Sequence, residues 1–151
     1  MICQLNSVEE YLTMYGELVT MVYMNVNMDQ LGVITQTHYH GSKARAKKII
    51  QERLKIYNKD YNFTFARISI KDLKSRWGSC SARKNLNFHY KLLFLPIELL
   101  DYIVVHELCH LVEMNHSHRF WQLVRRTIPD YKKRIFHLRK IEREMQGLKK
   151  R

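Results

Sequence analysis

Residues 106–110 read His106-Glu107-Leu108-Cys109-His110, inside an apolar run of Ile103, Val104, Val105, Leu108, Leu111 and Val112 that reads as a helix. Histidines four apart lie on one helical face, so both imidazoles reach one ion, and the glutamate between them reaches a water bound there. Imidazoles embedded among apolar side chains must be paired, neutral or metal-bound, because an unpaired buried polar ring is costly. His116 follows His110 by six residues and supplies a third ligand once the chain has turned. Three protein ligands leave the fourth position of a zinc ion open to water, which separates a catalytic zinc site from a structural one.

Two other residues compete for the third position. His118 is close in sequence, and Asp130 lies far enough downstream to enter from another helix. His116, just beyond the turn, needs the least rearrangement. Glu113 is the weaker choice of ligand and suits instead the orientation of a ligand histidine. Glu107 is the expected general base, taking a proton from the attacking water and passing it to the leaving group. The oxyanion that forms needs a further donor, and Tyr131, His118 and Arg119 are the candidates. Cys109, at an interior position of the motif, reads as a small packing residue.

A length of 151 residues suits one compact domain. The longest apolar stretches, around Leu92 to Leu95 and Leu99 to Val105, are interrupted by Pro96, Glu98, Asp101 and His106, so none reaches the length that crosses a bilayer. The N-terminus lacks the pattern of a secretory signal, so the expected address is cytoplasmic, with no membrane partner. Cys3, Cys80 and Cys109 are an odd, scattered set without CxxC spacing, which argues for reduced thiols rather than a disulfide framework or a four-cysteine zinc site. The formal net charge of +12 is concentrated in two places. One is the tail from Arg119 onward, where Arg125, Arg126, Lys132, Lys133 and Arg134 are among the basic residues; the other is Lys43 to Lys55. Such fields attract nucleic acid or other polyanions, although a solvated basic helix surface has the same composition.

Along the chain, Val8 to Val26 can form a helix with Ser7 as its cap. Ser42 reads as the cap of a clearer helix through about Tyr57, striped by Ala46, Ile49, Ile50, Arg53 and Leu54. From Phe63 the period changes to two, and short strands are expected around Phe63 to Ile70, Arg76 to Ser81 and Asn85 to Phe88, with Ser81 to Lys84 turning a hairpin. Pro96 suits the first turn of the motif helix, Asn115 its stop, and Ser117 the cap of the next helix, which Pro129 ends. A last basic helix is expected from about Asp130 to Gln146, with Gly147 as its stop.

The segment Ser75-Arg76-Trp77-Gly78-Ser79-Cys80-Ser81, the helix opening near Pro96, the His106–His110 motif, Asn115-His116-Ser117, Phe120-Trp121 and Pro129-Asp130-Tyr131 together resemble the YgjP-like metallopeptidases, relatives of the SprT-like zincins. The resemblance spans about Ser42 to Lys140. It implies an α+β, minimal zincin-like fold, a small mixed or antiparallel sheet packed against the HExxH helix with flanking helices. It implies zinc on His106, His110 and His116, Glu107 as general base, and a peptide or protein substrate. It also implies that Trp77, Gly78 and Ser79 help form a substrate wall, since a strand beside the cleft pairs with an extended peptide. Beside that stands a plainer reading, Trp77 as core and Gly78 as a bend or bulge. On this division residues 41–151 are the zincin domain and residues 1–40 a divergent segment with helical character where the family carries a strand-rich one.

Two further functions compete with a zinc peptidase. Arginine and lysine near a metal suit hydrolysis of a phosphate or nucleotide. A nucleic-acid-binding module with a non-catalytic zinc site is the other, but a structural site has no need of Glu107 and more often uses four protein ligands.

Overall fold

The computed structural model describes residues 28–148, and the helix expected over Val8 to Val26, with its Ser7 cap, lies outside them. The order is α1 (Met28–Tyr61), β1 (Arg67–Lys71), β2 (Gly78–Cys80), β3 (Asn85–His89), a 3-10 turn (Tyr90–Phe94), α2 (Ile97–Cys109), α3 (His118–Thr127) and α4 (Tyr131–Leu148).

Helix α1 runs unbroken through residues 40 and 41, so Ser42 is a buried interior position rather than a cap. It ends where Asn62 adopts a left-handed backbone, φ 54°, and donates its N–H to the Asn58 carbonyl at 2.7 Å. Asparagine tolerates that conformation, which is why the stop falls there. The Asn58 side chain completes the end by accepting from the Phe63 N–H and donating to its carbonyl.

The three strands form a mixed sheet in the order β1-β3-β2, with β3 parallel to β1 and antiparallel to β2. The expected hairpin is present: Lys84, φ 56°, closes the turn by donating its N–H to the Ser81 carbonyl at 2.8 Å. Leu86 and Phe88 of β3 are fully buried, and opposite them on the same face stand Cys80 and Gly78.

Helix α2 packs against α1, β2, α3 and α4, which explains its composition. Leu99, Leu100, Ile103, Val104, Val105 and Leu108 are all buried, so this helix is apolar on nearly every side. Pro96 is its cap residue, as its fixed φ allows. Two carboxyls are buried on this helix, Asp101 and Glu107, and Asp101 receives both Nε and an Nη of Arg53 of α1, at 2.6 and 2.7 Å, and the Tyr57 hydroxyl at 2.8 Å. Both oxygens of a buried carboxylate are thereby hydrogen-bonded by two side chains of one neighbouring helix.

Two expected helix ends move. Helix α2 ends at Cys109 rather than near Asn115, because Leu111 and Val112 donate to Leu108 and Cys109 in tighter turns, with Glu113 also closing on Cys109. Asn115 has no left-handed backbone and is not the stop. Helix α4 runs to Leu148, through Gly147. Ser117 does cap α3, its Oγ accepting from the Phe120 N–H at 3.3 Å.

Candidate metal centre

The early end of α2 is what assembles the site. His106 and His110 lie one turn apart on its last turns, and the tight turns after His110 return the chain so that His116 meets them. The Nε2 of His106 lies 3.2 Å from that of His110 and 3.0 Å from that of His116. One donor atom from each of the three rings falls within 4.8 Å of the others, and no other such cluster of histidine, cysteine, aspartate and glutamate occurs among the described residues.

The outer nitrogens are engaged. The Nδ1 of His110 faces the Glu113 carbonyl at 3.0 Å, which can only accept, so this nitrogen carries the proton and Nε2 keeps its lone pair. The Nδ1 of His106 faces the Tyr102 hydroxyl at 3.3 Å, one turn earlier on the same helix. Lone pairs crowded at 3 Å repel unless a proton or a cation lies between them. Burial, then the His110 and His116 rings, push His106 down to about 3, so the proton is disfavoured there. Ligands of a tetrahedral zinc ion at ~2.0–2.1 Å stand roughly 3.3 Å apart. The donor set fits a divalent cation in chemistry and in spacing.

Phe120, fully buried on the first turn of α3, lies 4.8, 4.6 and 4.8 Å from the rings of His106, His110 and His116. Trp121 stacks on His116 at 5.6 Å, and Tyr131 stacks on Trp121 at 5.0 Å. These aromatics form an apolar backing that limits where the imidazoles can turn.

Glu107, next to His106 in the motif, faces Gly78 of β2. It is 4% exposed, and its Oε2 has no hydrogen-bond partner. Burial pushes its carboxyl up to about 8, with the Arg76 guanidinium pulling the other way. A buried polar atom left without a partner costs stability, and a carboxyl raised by burial is the kind of group that catalytic sites use.

Residues 24–141 match the YgjP-like metallopeptidase domain. The chain belongs to this metallopeptidase family. No curated protein matches the sequence. Among solved structures, the zymogen of abylysin from Pyrococcus abyssi is similar with a TM-score of 0.55 and 23% identity, over 64% of this chain and 95% of that one. The zymogen of jannalysin from Methanocaldococcus jannaschii is similar with a TM-score of 0.52 and 25% identity, over 62% of this chain and 95% of that one. The α+β fold with its small mixed sheet is therefore that of known metallopeptidases, and the family implies a metal-dependent peptide hydrolase.

The remaining sequence candidates of this YgjP-like chain are placed as follows. His118 is exposed at the start of α3 and outside the histidine cluster, and Asp130 is tied to Arg134 at 3.0 Å. Glu113 orients His110 through its backbone carbonyl, while its carboxylate pairs with Arg119 at 3.2 Å. Trp77 is packed in the core, its indole N–H donating to Glu142 at 2.8 Å. Gly78 and Ser79 are regular ladder positions opposite Phe88 and Asn87, and no glycine among the described residues has a positive φ, so the expected bend or bulge at Gly78 is absent. Cys109 is buried against the Tyr61 hydroxyl, and burial raises its thiol to about 11, as suits a packing residue. Tyr131 lines a cavity of about 410 Å³ at the α3–α4 corner together with Arg125, Lys132 and Lys133. Tyr102, the partner of His106, is not anticipated from sequence, although its position four residues earlier on the same helix is a usable signal. No described helix is long and apolar enough to cross a membrane.

Proposed function

We propose that the protein is a zinc-dependent peptidase in which His106, His110 and His116 hold the ion and Glu107 is the general base. The observation that carries this reading is the convergence of three imidazole Nε2 atoms on the helix that bears a buried carboxyl with an unpartnered oxygen. Three imidazoles with no carboxylate among them favour zinc over magnesium or calcium. Bound there, zinc would supply Lewis acidity, polarising the scissile carbonyl and acidifying a water for attack.

The chain's own residues do the rest. Glu107 takes the proton of the attacking water and delivers it to the leaving amine. The Glu113 carbonyl and the Tyr102 hydroxyl hold two imidazoles in the orientation that keeps Nε2 toward the ion. Phe120 and Trp121 keep water from the back of the rings. Strand β2 is an edge of the described sheet, and its Gly78-Ser79 segment suits pairing with an extended peptide. Tyr131 reaches the histidine cluster through Trp121, which stacks on His116, and His118 opens α3; both are candidate substrate contacts, and nucleic acid is a candidate partner of the basic face to which Arg125, Lys132 and Lys133 belong.

The test compares peptide and nucleoside triphosphate turnover by one zinc-loaded preparation before and after chelation. Cleavage of unstructured peptide that chelation abolishes and zinc restores is expected, with no triphosphate hydrolysis; triphosphate turnover without peptide cleavage would sink the reading. Tyr102→Phe is expected to weaken zinc binding about tenfold by freeing His106 Nδ1. Competition with a chromophoric chelator measures this, and an unchanged affinity would show that the hydroxyl does not orient His106.

A further inference from the structure

Gly78 lies in a regular antiparallel ladder opposite Phe88 and has no left-handed backbone, so nothing in its conformation calls for glycine. What calls for it is space. A Cβ at this position would stand 2.6 Å from Glu107 Oε1, 2.7 Å from its Cγ and 2.8 Å from its Cδ. Ordinary contact begins at 3.4 Å, so the glutamate would have to retreat by about 0.8 Å. Glu107 is 4% exposed, so the displaced carboxyl has little solvent to swing into and must press on its packed neighbours. Cys80, on the same face of β2, senses the same group: its thiol is raised by burial and then by the Glu107 charge.

We propose that Gly78 is a positioning residue for Glu107: the volume left by its missing side chain is the slot that holds the carboxyl in place beside the histidine cluster. The proposal rests on the reading of Glu107 as the base. The WGSC segment then has two separate contributions, the edge of β2 toward substrate and the bare Cα of Gly78 toward the base.

The experiment uses the full chain carrying Gly78→Ala, Glu107→Gln and Glu107→Ala, singly and with Gly78→Ala combined with each glutamate variant. Displacement of a catalytic group by about 1 Å lowers turnover on the order of 100-fold, so Gly78→Ala is expected to lose that much kcat with KM and zinc affinity little changed. In the Glu107→Gln background the same alanine is expected to cause no further loss. Thermal unfolding reads the contact without substrate: Gly78→Ala lowers Tm by about 5 °C when Glu107 is present and not when Glu107 is alanine. A kcat within about threefold of wild type overturns the proposal. So does an equal Tm loss in both backgrounds, or an equal further loss of turnover in Glu107→Gln, which would put the contribution of Gly78 on the substrate side. Wild-type turnover by Glu107→Gln would overturn the base assignment and with it the positioning role, while the thermal comparison would still report the contact.

Discussion

Glu107→Gln is expected to lower peptide turnover by about 10²–10⁴-fold while leaving zinc stoichiometry and the fold unchanged. Glutamine has the same shape, so the slot against Gly78 stays filled and the ladder between β2 and β3 is not disturbed. It cannot accept a proton from the attacking water, so the loss falls on kcat rather than on KM. The ligand atoms belong to His106, His110 and His116, whose orientation depends on Tyr102, Glu113 and Phe120 and on none of the Glu107 atoms. Zinc content by elemental analysis, Tm and steady-state kinetics on one preparation check all three parts. Turnover within about threefold of wild type would remove Glu107 from the mechanism.

The largest expected effect on stability is at Asp101→Ala. This side chain ties the motif helix to α1, taking two bonds from Arg53 and one from Tyr57. Its removal leaves the guanidinium facing a buried surface. Breaking one side of a buried pair costs about 3–5 kcal/mol, and the lower end applies here because the Arg53 side chain keeps 25% of its exposure and reaches water. A loss of about 3 kcal/mol corresponds to a fall in Tm on the order of 10 °C. Replacing the three residues together, Arg53→Met, Tyr57→Phe and Asp101→Leu, is expected to recover most of the loss, since an apolar contact of similar volume substitutes for a buried ion pair. Thermal and urea unfolding measure both variants. A Tm change below about 2 °C for Asp101→Ala would show that water replaces the carboxylate at little cost.

The parts of the fold that sequence reading recovers are those encoded over a few residues. The apolar run around the motif, the Pro96 start, the Ser81–Lys84 turn and the Ser117 cap depend on neighbours within one helical turn or one hairpin. The misplaced boundaries are cases where a residue with the chemistry of a helix end does not set one. Ser42 has the chemistry of a cap but is buried within a longer helix; Gly147 would end an isolated helix but lies inside α4. Asn115 can end a helix, yet α2 stops at Cys109, where the following N–H groups already bond back in tight turns.

The opening motif shows the same division. From its spacing alone, His106 and His110 share a face and His116 is in reach, because helical geometry is a local property. That Tyr102 faces His106, that Phe120 backs all three imidazoles, and that Gly78 leaves the slot for Glu107 come from the tertiary structure. The physical reason is range: a helix repeats every ~3.6 residues and writes its faces into the sequence, whereas the approach of β2 to α2 depends on how a whole sheet packs on that helix.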